Sequence, residues 1–163
     1  MQNNLNKADP IKYKIQLPDG RTIIKQRIET GEGKTFRYTP AFSALGISLR
    51  DLPLYGLEKL NSLREGTEVW FVEGEECAKR LNAMGVTAVS GYWGSSQKDF
   101  GDSLKALMDF RVICWPDNDD AGKSYMSNVA RQLSGENSLQ PVQWVDVESM
   151  DLNEKDDVVD YLN

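Results

Sequence analysis

Most of the chemistry this sequence can offer is carried by carboxylates. The run Cys114 to Ser124 reads CWPDNDDAGKS, which places Asp117, Asp119 and Asp120 directly behind an apolar stretch, Arg111 to Trp115, with the composition of a buried strand. A second acid, Glu73, follows another such run, EVWFV at 68–72, and is itself followed by Gly74, Glu75 and Glu76. The 163 residues contain no His, so acid–base work falls to carboxylates, Lys or Tyr. The same lack excludes a Cys–His nucleophile and a structural zinc site. Cys77, on a predicted helix, and Cys114, in a predicted core strand, read as buried thiols.

Spacing decides between three readings of the aspartate loop. A phosphate-binding P-loop needs Gly five residues ahead of its Gly-Lys pair, but Asp117 holds that place before Gly122-Lys123, and a carboxylate there repels phosphate. An EF-hand beginning at Asp117 needs Asp or Asn at its fifth position and Glu at its twelfth, where the chain has Ala121 and Asn128. Two alternatives remain. In an extended loop Asp117 and Asp119, at i and i+2, can face one divalent cation, as magnesium sites with one or two carboxylates do. Otherwise, Asp119 or Asp120 caps the next helix and Pro116-Asp117 forms a turn. Glu73 has the same two faces, being either a ligand or general base, or one of the acids favoured at a helix start, as Glu75 and Glu76 are.

The elements that must position these residues form two groups. KYKIQL (12–17), TIIKQRIE (22–29) and KTFRYT (34–39), separated by Pro18-Asp19-Gly20-Arg21 and by Gly31 and Gly33, predict a three-stranded antiparallel meander. A connecting loop with Pro40, Gly46, Pro53 and Gly56 and a short helix at 57–63 follow, so residues 1–53 are read as meander and linker and 54–163 as a second domain. There the pattern alternates: strand 68–72, helix 75–84, strand 86–90, helix 101–109, strand 111–115, helix 120–133, strand 142–147, and a closing helix at 157–162. Strict alternation with short connections predicts an α/β fold, a mostly parallel four-stranded sheet covered by helices on both faces. Ligands of such sheets sit at the carboxyl ends of the strands, where both acidic loops emerge.

The formal charge is −6, unevenly spread: residues 1–68 hold eleven Lys/Arg against eight Asp/Glu, and residues 69–163 hold eight against seventeen. The acidic half argues against nonspecific adhesion to nucleic acid. The basic half offers Lys12, Lys14, Lys25, Arg27, Lys34 and Arg37, either as contacts to a nucleic-acid backbone or as a solvated face. Lys123 adds a cation beside the aspartates. Tyr92 and Trp93 either stack on an exposed base or fold back onto the core. The N-terminal MQNNLNKADP lacks an apolar signal core, and no window approaches the roughly 20 apolar residues that cross a bilayer, so a cytoplasmic protein with no membrane partner is expected.

With these residues in place, VEGEECAKRL followed about forty residues later by ICWPDNDDAG resembles the TOPRIM domain of primases, topoisomerases and some nucleases. LPLYGLEKL before the Glu, VTAVSGYWGSS between the motifs and EKDDVVDYLN at the tail resemble its phage and plasmid primase or primase-helicase branch, over residues 54–163. Where that branch often has a Gly pair after the second strand, this chain has Gly91-Tyr92-Trp93-Gly94. The resemblance implies that Glu73 is the general base or acid, that Asp117 and Asp119 hold Mg2+ or Mn2+, and that Asp157, followed by Asp160, is a later metal-site acid. It implies phosphoryl transfer, single-stranded DNA template and nucleoside triphosphates as partners, and a replicative helicase or further primase domains alongside. Three functions follow: a primase-type nucleotidyltransferase making RNA primers in phage or mobile-element replication, a nuclease using the same acids, and a noncatalytic module binding nucleic acid or a partner. No attacking-Tyr domain accompanies the motif, which places a topoisomerase last, and the chain carries neither a zinc-binding set nor a helicase P-loop.

Overall fold

The computed structural model of the chain describes residues 9–31, 33–135 and 141–163, so most of the N-terminal decapeptide read above lies outside the described residues. The chain divides into two compact units, Met1–Ser48 and Leu49–Asn163.

In the first unit, strands β1 (Ile11–Gln16), β2 (Thr22–Thr30) and β3 (Gly33–Thr39) form an antiparallel sheet in the order β1-β2-β3. The first hairpin closes as the turn chemistry demands. Gly20 adopts φ +88°, its N–H donates to Leu17 O at 3.0 Å, and Asp19 Oδ1 accepts from Arg21 N at 3.0 Å. Ile15 pairs with Ile23 and Tyr13 with Lys25, so these four share one face of the sheet, and all four are buried. Helix α1 (Phe42–Leu45) follows, with Phe42 against Tyr38 at 4.7 Å between ring centroids.

The second unit is an α/β fold with four parallel strands, β4 (Glu68–Val72), β5 (Ala88–Ser90), β6 (Arg111–Trp115) and β7 (Gln143–Trp144), in the order β5-β4-β6-β7. Helices α2 (Glu75–Ala83), α3 (Asp120–Gly135) and α4 (Val158–Tyr161) complete it. Successive strand residues point to opposite faces, and the core divides accordingly. Val69, Phe71, Val112 and Cys114 pack with Tyr125, Met126, Val129 and Leu133 of α3. Val72 and Trp115 pack with Cys77, Ala78 and Leu81 of α2, and with Val158 of α4. Phe71 sits centrally, fully buried, with its ring 6.0 Å from Phe100 and 6.2 Å from Tyr125.

Two predicted helices are tighter and shorter than the sequence suggested. Residues 101–109 form a 3-10 turn over Ser103–Leu107, and 57–63 one over Leu57–Ser62. The first is clamped at both ends. Gly101 has φ +51° and packs so closely on the Arg50 carbonyl that a Cβ would lie 2.5 Å from it, while Asp109 O accepts from Gly66 N at 2.7 Å. A span that short favours i→i+3 bonds. The predicted strand 142–147 keeps ladder pairing only at Gln143–Trp144, as expected of an edge strand beginning just after Pro141.

β4 and β6 are adjacent and in register, Val72 opposite Trp115, at the point where the strand order reverses. Loops leaving the carboxyl ends of two such strands diverge and open a crevice. The chain supplies its acids there.

Candidate active site

Glu73 is the first residue beyond β4. Gly74, extended at φ −134° and ψ 163°, turns the chain into α2 and receives Ala78 N on its carbonyl at 3.1 Å. The Glu73 carboxylate is held from above by the turn that follows β5, where Ser95 N donates to Oε1 at 3.1 Å and Gly94, at φ +57°, leaves room for it. Its Oε2 is buried and accepts from no donor. Such an atom costs on the order of 1–3 kcal/mol unless something satisfies it.

The loop after β6 is pinned by its middle residue. Asn118 donates its Nδ2 to Asn153 O at 3.0 Å and Leu152 O at 3.2 Å, its N–H donates to Asp156 O at 2.9 Å, and its carbonyl accepts from Lys155 N at 3.0 Å. With Asn118 fastened to the tail segment 152–156, its two neighbours are left for the crevice. Asp119 spends Oδ1 on Gly122 N at 2.7 Å, so it also starts α3. Gly122 lies so close to the loop that a Cβ would stand 2.8 Å from Asp117 O and 2.9 Å from Asp117 N. Only the smallest residue permits this approach.

Asp117 is the group under most strain. Burial, then the nearby Glu73 and Asp157 charges, a hydrogen bond shared with the Glu73 carboxyl, and the Asp119 charge push it up to about 8. The bond between the two carboxyls exists only when one of them carries a proton. Asp157 sits at the N-cap of α4 and accepts from Val159 N at 2.6 Å and Asp160 N at 3.3 Å, while Asp160 Oδ2 accepts from Asp157 N at 3.0 Å, forming a capping box. Cys77, beneath Asp117 and Asp157, has its thiol pushed well up by burial and is inert as a nucleophile.

Glu73, Asp119 and Asp157 are therefore electrostatic neighbours of Asp117, and the capping reading holds for Asp119, while Asp157 caps α4. Among the described residues, no three Asp, Glu or Cys side chains converge tightly enough to grip an ion as they stand. The donor set nonetheless fits a hard divalent cation. It is all oxygen, Glu73 Oε2 lacks a partner, and Asp117 is neutralised by a proton where a cation would serve.

The basic residues fare differently. Lys12, Lys14, Lys34 and Arg37 are exposed. Lys25 is 2% exposed, with its Nζ over the Phe36 ring at 4.3 Å and 5.9 Å from the Tyr13 centroid, which corrects the expectation that it faces a ligand. Arg27 pairs with Glu29 at 2.8 Å. Lys123 pairs with Glu148 at 2.7 Å, a surface bridge that occupies the cation expected beside the aspartates. Tyr92 folds into the core, edge-on to Tyr55 at 6.1 Å, whereas Trp93 remains 39% exposed. Sequence reasoning missed Ser95, Asn118 and Gly122. Asn118 had a usable signal, because the residue between two same-facing loop acids points the other way.

A four-stranded parallel sheet in this order, in a chain that also forms a three-stranded antiparallel sheet, is an α/β fold with known counterparts. Solved structures share it. The chain is similar to the primase catalytic core of E. coli, at TM-score 0.63 and 18% identity, over 99% of this chain and 51% of that one. It is similar to the DnaG primase catalytic domain bound to single-stranded DNA, at 0.63 and 18%, over 94% and 48%. It is also similar to a DNA primase domain from Pseudomonas aeruginosa, at 0.64 and 16%, over 96% and 49%. The chain spans about half the length of these structures, and at such identities the likeness is one of fold. No protein-family model matches the sequence, and no curated protein matches it. Among the described residues, no helix is long and apolar enough to cross a membrane.

Proposed function

We propose that this chain is a Mg2+- or Mn2+-dependent phosphoryl-transfer domain of primase type, which joins ribonucleotides into primers on single-stranded DNA in phage or mobile-element replication in the cytoplasm. The observation that carries the reading is the meeting of Glu73 and Asp117 in one half-buried crevice, just beyond the ends of adjacent, in-register central strands, where burial and the Glu73 charge push Asp117 up. Two carboxylates kept at this cost are best explained by a cation that replaces the proton.

Asp117 and Asp119 would hold the metal, with Asp157 as a further oxygen donor. Bound there, the metal supplies charge neutralisation for triphosphate oxygens during in-line displacement. Glu73 is held by Ser95 N through Oε1, which leaves Oε2 to accept the proton of the attacking 3′-hydroxyl. Asn118 keeps the aspartate loop from collapsing onto Glu73 by tying it to the tail segment. The likeness to a primase domain bound to single-stranded DNA supports a single-stranded template. The exposed Lys12, Lys14, Lys34 and Arg37, with Arg27, are the residues proposed to hold its backbone. Nucleoside triphosphates, a replicative helicase and further primase segments complete the proposed partners.

The test is primer synthesis by the full chain, with template, ribonucleotides and magnesium, against Asp117→Asn and Glu73→Gln. The expected result is an oligoribonucleotide product lost in both variants. Metal-dependent cutting of labelled DNA without added nucleotides would instead make the domain a nuclease. Activity unchanged in both variants would leave a noncatalytic module.

A further inference from the structure

We propose that the outer face of α3 is a second nucleic-acid contact, which seats one nucleotide of a single strand with its phosphate between Lys98 and Arg131 and its base beside Met108. Two cavities, of about 420 and 240 Å³, lie along this face and share Arg131 as a lining residue. The larger lies within the volume range of sites for small organic ligands, roughly 300–1,000 Å³, and the smaller falls below it.

Their linings overlap but are not alike. The larger carries Lys98, Ser124 and Arg131; the smaller adds apolar Met108 and the edges of Leu104 and Leu133 to Lys105, Arg131 and Gln132. A nucleotide divides in the same way, into an anionic phosphate and a flat apolar base.

Charge singles this face out. The second half of the sequence carries more than twice as many acids as bases, yet among the described residues no carboxylate lines either cavity. Two acids close along the chain have cation partners of their own. Asp99 accepts from Gly101 N at 2.8 Å and pairs with Arg50 at 3.3 Å, and Asp102 pairs with Lys105 at 2.8 Å. Among the described residues neither Lys98 nor Arg131 has a carboxylate partner within ion-pair distance.

The two cations are also placed rather than merely present. Asn128 donates Nδ2 to Lys98 O at 2.8 Å and accepts from Arg131 Nη2 at 2.6 Å, so one amide fixes the loop that bears Lys98 to the helix position that bears Arg131. Gln132 Nε2 adds a second bond to Lys98 O at 3.3 Å. A guanidinium fixed at one nitrogen keeps its other donors for phosphate. The apolar half selects a single strand, because a duplex keeps its bases stacked inside while an unpaired base can leave the backbone and settle on a side chain. None of these residues belongs to the acidic crevice, so the contact is independent of the catalytic reading.

The test uses full-length protein carrying Asp119→Asn, without divalent metal, and a labelled single-stranded oligothymidylate followed by fluorescence anisotropy across a salt series. Lys98→Gln/Arg131→Gln should weaken binding tenfold or more. It should also flatten the slope of log K against log salt by about 0.7 per phosphate released. Met108→Ser should weaken binding several-fold and leave that slope unchanged. Denaturation midpoints confirm that these exposed substitutions leave the fold intact. An unchanged slope in the double variant overturns the proposal. So does duplex DNA binding as tightly as the single strand, or displacement of the oligonucleotide by thymidine monophosphate at equal concentration, which would assign the cavity to a free nucleotide.

Discussion

Asp117→Asn should make the metal-free protein more stable, not less, by an amount that grows with pH. In the fold this carboxyl is pushed from 3.8 up to about 8, so between those values the folded chain keeps a proton that the unfolded chain has released. Stability therefore falls as pH rises through this window and levels off above it. Three units, from pH 5 to 8, correspond to about 4 kcal/mol at 1.36 kcal/mol per unit. Relaxation and water entry around the ionised carboxylate roughly halve that, leaving about 2 kcal/mol. For a chain of this size the effect is a melting shift of about 4–8 °C. The asparagine titrates nowhere in the range. Urea unfolding in EDTA should give two curves that meet near pH 4 and separate steadily towards pH 8, the variant being the more stable. Magnesium at a hundred times its dissociation constant should then return about 2.7 kcal/mol to the parent and nothing to the variant. Parallel pH profiles for the two proteins would refute the buried contact with Glu73, and equal metal responses would refute its purpose.

Gly122→Ala places a methyl 2.8 Å from Asp117 O, and the neighbour is backbone that cannot swing away. Stability should drop by about 1–3 kcal/mol, and isothermal titration should show metal affinity falling with it. Asp157→Ala removes the α4 cap at a cost of about 1 kcal/mol. Asp157→Ser should recover that stability in urea titrations without recovering metal affinity, which separates the two duties of the carboxylate. Phe71→Ala opens the centre of the core and should cost about 3–5 kcal/mol, read as a denaturation midpoint. Cys77 and Cys114 should react with a thiol reagent at pH 8 only as fast as the chain unfolds, because burial raises both thiols, Cys114 to about 12.

The two central strands could be read from the chain because each is a nearly unbroken apolar run: 68–72 and 111–115 occupy the residues expected, whereas the outer runs 86–90 and 142–147, broken by polar residues, keep only Ala88–Ser90 and Gln143–Trp144. The acidic loops followed, since an acid behind a buried strand has only the sheet edge to occupy. What the sequence left open was decided by contacts between distant residues. In TIIKQRIE, alternation alone offers Ile24 and Ile28 as the inner face. The pairing of Ile23 with Ile15 and Lys25 with Tyr13 selects the other face instead and takes a lysine inside with it. Periodicity cannot foresee that choice, because it belongs to the partner strand. The 3-10 turns were hidden for a similar reason, as their length is set by clamps at Arg50 and Gly66 that lie far away in sequence. Asp119 was ambiguous between cap and ligand, and the geometry gives it a cap; the cap made by Asp157 was not foreseen.

The register of β4 against β6 has a further implication. Val72 faces Trp115 across a hydrogen-bonded ladder whose spacing is fixed near 4.8 Å by peptide geometry. The distance between Glu73 and its aspartate neighbour is thus inherited from the backbone, like teeth on a comb, and owes little to the side chains around it. Core substitutions can erode stability without retuning that gap. Lengthening either strand by one residue would turn its terminal acid to the opposite side of the sheet, so the pocket is open to gradual change in its walls and closed to it in its width.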